Sequence, residues 1–132
     1  MKRKFVTASI LVAALSVIFP LVAFAKDMTT AGIVIFEKGF SLKQKAAVVD
    51  IAKAIRSGKV ERISKYTKSE EDPNAIYRFW SGIGELSKIR FRARIVNSTF
   101  ILSDADRGMA TCNITKEANN FVVDECTFND GN

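Results

Sequence analysis

Between Ser41 and Gly58 the apolar residues Ala47, Val48, Ile51, Ala54 and Ile55 recur every three or four positions, while Lys43, Asp50 and Lys53 fall on the other side. That spacing predicts an amphipathic helix with its apolar face inward. Ser41-Leu42-Lys43-Gln44 has the form of a capping box at its start, a hydroxyl followed three residues later by an amide side chain. Gly58 is a natural stop. Val60, Ile63 and Tyr66 or Thr67 keep the helical spacing and predict a second, short helix. Asp72-Pro73 then starts a third, with Asp as cap and Pro in the first turn, and Ile76, Phe79, Trp80, Ile83 and Leu86 as its apolar stripe. Gly82 and Gly84 weaken its end, each at a cost of about 1 kcal/mol in a helix interior.

After residue 88 the period changes to two. In "KIRFRARIV", residues 88–96, Ile89, Phe91, Ala93 and Ile95 alternate with Arg90, Arg92 and Arg94. Such alternation predicts a half-buried antiparallel strand. Asn97-Ser98 is a bulge or bend before "TFIL", 99–102, and "SDADRG", 103–108, is a turn. Residues 109–116 and 121–128 are the last two strands, joined across Ala118-Asn119-Asn120. Near the front, "GIVIF", 32–36, is a short strand closed by Glu37-Lys38-Gly39. The predicted fold class is α+β, with N-terminal helices on one face of a curved antiparallel sheet and a C-terminal hairpin.

Cys112 and Cys126 test that hairpin. If they face each other, Glu117 faces Phe121 across a three-residue loop, a common hairpin length. The loop so closed is worth about 3 kcal/mol in the chain-entropy model. A disulfide is the expectation; a redox pair would more typically be Cys-x-x-Cys, which this sequence lacks.

The ends set the compartment. Met1-Lys2-Arg3-Lys4, an apolar run from Phe5 to Phe24 and Ala23-Phe24-Ala25 form a signal-peptide pattern over residues 1–25, of bacterial type, with cleavage after Ala25. The rival is an uncleaved anchor, since the run approaches the roughly 20 residues a membrane helix needs; Pro20 and the small-x-small site favour cleavage. A single α+β domain over 26–132, periplasmic or secreted, would then keep no membrane span. Losing Lys2, Arg3 and Lys4 takes the basic count from 20 to 17 against 14 acids, and the net charge from +6 to +3. Much of the basicity belongs to the signal, which argues against a nucleic-acid partner.

Three candidate sites remain. Lys88, Arg90, Arg92 and Arg94 form either a partner-binding ladder for an acidic protein surface or anionic envelope component, or a solvated face paired with acids such as Asp104, Asp106, Glu117 and Glu125. Arginine suits bidentate recognition better than lysine, which keeps the ladder in view. Asp104-Ala105-Asp106-Arg107-Gly108 has the look of a calcium loop, but the glycine comes one place early and the closing Glu is missing, so a turn is expected and no metal. Tyr66, Phe79 and Trp80 are either lining of a helix–sheet pocket or plain core. Catalysis has little to stand on: the chain has no histidine, so a serine or cysteine nucleophile lacks its usual base. No cofactor is implied.

"AKAIRSGKVERISKYTKSEED", Ala52 to Asp72, resembles the helix, Gly, short helix and acidic loop that open many NTF2-like (cystatin-like) domains. The resemblance implies helices packed into a strongly curved antiparallel sheet, often around a pocket. Lys59 stands where such domains usually carry an acid, and no functional residue carries over. The expectation is therefore an exported binding protein rather than an enzyme, first as an inhibitor or immunity protein acting through a protein–protein interface. The alternative is a small-ligand or lipid-binding module, and the third an enzyme using carboxylates alone.

Overall fold

The computed structural model describes residues 32–129. The signal-peptide pattern and its cleavage site lie outside the described residues. The chain runs β1 (Val34–Phe36), α1 (Leu42–Ser57), α2 (Val60–Ser64), α3 (Pro73–Ser81), a 3-10 turn (Leu86–Lys88), then β2 (Phe91–Val96), β3 (Thr99–Asp104), β4 (Ala110–Glu117) and β5 (Asn120–Phe128).

The helix ends follow the sequence cues. In α1 the Gln44 amide donates to Ser41 Oγ at 3.1 Å and the Ser41 amide donates to Gln44 Oε1 at 2.8 Å. Gly58 closes the helix at φ +68°, a left-handed conformation that favours glycine. In α3 the Asp72 carboxylate accepts from the Asn74 amide at 3.0 Å, with Pro73 in the first turn.

The five strands form one sheet in the order β1-β2-β3-β4-β5. The expected α+β class is observed, with one difference at an edge. β1 pairs with β2 in parallel, Val34 opposite Phe91, so the sheet is mixed. Three helices separate the two strands, enough chain to cross over and return in the same direction. The other pairings are antiparallel.

Two of the three hairpin turns differ from the sequence reading. Asn97 and Ser98 make a two-residue turn at φ +51° and +67°, with Val96 opposite Thr99, in place of a bulge or bend. Positive φ at both central positions matches the right-handed twist of the strands. Cys112 and Cys126 are opposite each other and disulfide-bonded, with Cα atoms 4.0 Å apart. A bulge follows: Ile114 pairs with Val123, so Asn113 faces both Asp124 and Glu125. That shift puts Glu117 opposite Asn120 and leaves only Ala118 and Asn119 in the turn, one residue fewer than expected.

The register places Val34, Phe91, Ala93, Leu102, Cys112, Ile114 and Val123 on one face, all buried. Against them pack Val48, Ile51, Ala52 and Ile55 of α1, Ile63 of α2, and Ile76 and Trp80 of α3. Ala47, expected in this face, is only half-buried and borders a cleft instead. A row of aromatic contacts, Phe36–Phe40 at 5.1 Å, Phe40–Phe100 at 5.0 Å and Phe100–Phe121 at 5.4 Å, runs from β1 to β5.

The Asp-x-Asp-x-Gly stretch is a turn. Asp104 is buried, and its carboxylate accepts from the amides of Ala110 at 2.7 Å, Arg107 at 2.9 Å and Gly108 at 3.0 Å. Burial alone pushes its pKa up; the backbone amides, led by that of Ala110, outweigh burial and hold it below the ordinary 3.8.

Candidate functional site

The basic strand has the expected alternation, Phe91 and Ala93 buried and Arg92 and Arg94 on the opposite face, but its cations do not form one ladder. Lys88 belongs to the 3-10 turn and lies 3.5 Å from Glu85. Arg90 donates to Asp106 at 2.6 Å, and Arg92 sits 3.9 Å from Glu37. Arg94 is exposed and has no ion pair among the described residues. Of the acids expected opposite this strand, Asp106 pairs with it; Asp104 is held by its own turn, and Glu117 binds Ser69.

Phe79 and Trp80 do not line the same cleft as Tyr66. Trp80 is fully buried, edge-on to Phe91 at 5.0 Å and to Phe79 at 5.5 Å. Its indole N–H has no hydrogen-bond acceptor among the described residues. Phe79 packs against exposed Phe128, their ring centres 4.3 Å apart and the rings tilted by 32°. Tyr66 lies elsewhere, in the wall of a cleft of about 640 Å³.

That cleft is built from three separate parts of the chain. The first turns of α1 supply Ser41, Lys43, Gln44, Ala47 and Asp50. The segment after α2 supplies Lys65 and Tyr66, and the β4–β5 hairpin supplies Lys116, Asn119, Asn120 and Phe121. Each wall is fixed locally. The capping box holds Gln44 in place. The Tyr66 carbonyl accepts from the Val123 amide at 2.6 Å, and the Lys68 amide donates to the Val123 carbonyl at 2.9 Å, so this segment adds a short parallel bridge to β5. Glu117 accepts from Ser69 Oγ at 2.7 Å and from its amide at 3.1 Å, and Lys68 lies 3.6 Å from Asp124. The Ser69 hydroxyl and amide hold the Glu117 carboxyl below its ordinary 4.5. Phe121 stacks on Phe100, and the Lys116 ammonium sits 5.5 Å from its ring centre.

Electrostatically the cleft is lopsided. Lys43, Lys65 and Lys116 converge from three elements, and the one acid among the lining residues is Asp50. None of the three lysines has an ion pair among the described residues. An arrangement of this size and charge can hold an anion with an organic body; sites of roughly 300–1,000 Å³ are typical for small ligands. Tyr66 is the one cleft residue that the sequence reading singled out as pocket lining. Lys43 reads as a solvated-face residue and Asn119-Asn120 as loop, and no linear signal joins segments that lie so far apart in the chain.

No protein-family model, curated protein or solved structure matches this chain. The NTF2-like resemblance therefore rests on residues 52–72 alone.

Proposed function

We propose that this is an exported binding protein that captures a small anion-bearing ligand in the cleft between the start of α1 and the β4–β5 hairpin. The observation that carries the reading is the convergence of Lys43, Lys65 and Lys116 without carboxylate partners among the described residues, beside a single acid, Asp50. Like charges gathered at a concave surface repel one another and attract a counter-ion, more strongly as salt is lowered. The signal-peptide pattern over residues 1–25 and the Cys112–Cys126 bond support export. Among the described residues no helix is long and apolar enough to cross a membrane.

A second reading, an inhibitor or immunity protein gripping an acidic partner, draws on Arg94, exposed beside Val96, which is itself 40% exposed. Amide NMR shifts during titration with inorganic phosphate at low salt test the first reading, using protein recovered from an oxidising compartment. The cleft reading expects shifts concentrated at 41–50, 65–66 and 116–121. Shifts concentrated at 90–96, or no saturable shifts, would count against it.

A further inference from the structure

The cleft holds more than an ion requires, and these polar groups are of three kinds. Lysine ammonium groups only donate hydrogen bonds. Asp50 only accepts when ionised, and the carboxamides of Asn119 and Asn120 both donate and accept. A bare phosphate or sulfate offers acceptors alone. It would satisfy the lysines, be repelled by Asp50, and leave the acceptor halves of Asn119 and Asn120 to water. A ligand that answers every wall needs an anionic group for the lysines and hydroxyls, which donate and accept together, for Asp50 and the two asparagines. It also needs an apolar face for Tyr66, since the Phe121 ring is already flanked by Phe100 and the Lys116 ammonium.

A flat base is a poorer match. One face of Phe121 is already covered by Phe100, stacked at 5.4 Å and 16°, and the Lys116 ammonium sits over its ring at 5.5 Å, which leaves little of that ring for a base to stack on. A sugar ring needs no such stack. It lays one C–H face on one aromatic surface and turns its hydroxyls sideways.

Resting on the cleft reading above, we infer that the ligand is an acidic saccharide: a sugar unit carrying a carboxylate or phosphate, its acid group held by Lys43, Lys65 and Lys116, a hydroxyl donated to Asp50, and further hydroxyls read by Asn119 and Asn120. Charge gives the attraction, and the neutral groups select the sugar.

Calorimetric titration of disulfide-intact protein with glucuronate, glucose 6-phosphate, glucose, inorganic phosphate and adenosine monophosphate separates the claims. The expected result is saturable binding of glucuronate and glucose 6-phosphate, with glucose and inorganic phosphate each about tenfold weaker or more. Asp50→Ala, at an exposed helix position, should weaken the sugar acids about tenfold while leaving inorganic phosphate unchanged or tighter, because it removes a hydroxyl acceptor and a repelling charge together. Unchanged unfolding temperature confirms that the variant folds. Asn119→Ala/Asn120→Ala should weaken the sugar acids alone.

Inorganic phosphate binding as tightly as glucose 6-phosphate would overturn the saccharide while leaving the anion cleft standing. Adenosine monophosphate binding tighter than both sugar acids would replace the sugar by a nucleotide. Glucose binding as tightly as glucuronate would remove the lysines from recognition. Absence of binding by every anion would overturn the cleft reading itself.

Discussion

In the basic strand, Arg90 lies 2.6 Å from Asp106 and Arg92 3.9 Å from Glu37; in the cleft, Lys43, Lys65 and Lys116 have one acid, Asp50, among the lining residues. Both regions concentrate cations, yet only one leaves most of them without carboxylates of their own. The strand stands out in the linear sequence because alternation is written into successive residues. Its arginines then meet acids delivered by other loops, and exposed pairs of this kind are worth about 0–1 kcal/mol. The cleft is inconspicuous in the sequence because each wall contributes only one lysine. Its charge exists only after the hairpin folds over the start of α1. A run of like charges thus says less about binding than the charges a fold leaves unmatched.

If the strand is mainly a structural element, its inward residues should matter most. Phe91→Ala, at a fully buried position against Trp80, should destabilise the protein by about 3–5 kcal/mol, read from the midpoint of denaturant unfolding. A loss below 1 kcal/mol would mean that the strand is not seated in the core as described.

This division was partly legible in the sequence. The capping box at Ser41, the stop at Gly58, the Asp72-Pro73 start and the alternation through Phe91 and Ala93 are local signals, each set by residues within one turn or strand. The facing cysteines were legible from their spacing taken with the expected export. Three features were not. The parallel pairing of β1 depends on the path of the crossover, not on any residue in "GIVIF". The bulge opposite Asn113 shifts the register without disturbing the apolar pattern at Ile114 and Val123. Ala47 fits the helical period of the core face, but the neighbouring hairpin leaves space over it, and the period cannot report that.

A smaller effect concerns the acid that the sequence placed opposite the basic strand. Asp104 stabilises its own turn, and its pKa is lowered in the folded state. A lowered folded value means that its contribution is fully present above the ordinary 3.8 and is lost as pH falls through the lower folded value. Asp104→Asn should therefore cost about 1.5–3 kcal/mol at neutral pH, as expected for hydrogen bonds to a charged group. The gap from the unchanged protein should close as pH drops below 3.8, measured by unfolding across an acid series. A gap that stays constant down that series would mean the carboxylate charge is not what the turn amides hold.

The comparison between the two regions is tested most directly by removing equal charge from each. Lys43→Ala/Lys65→Ala/Lys116→Ala and Arg90→Ala/Arg92→Ala/Arg94→Ala each delete three cations, so any general effect of net charge is the same in both. The measurement is the Kd for inorganic phosphate at low ionic strength, with unfolding midpoints recorded alongside. The cleft account expects the lysine variant to lose affinity by about tenfold or more and the arginine variant to stay within about twofold. The reverse pattern would return recognition to the strand.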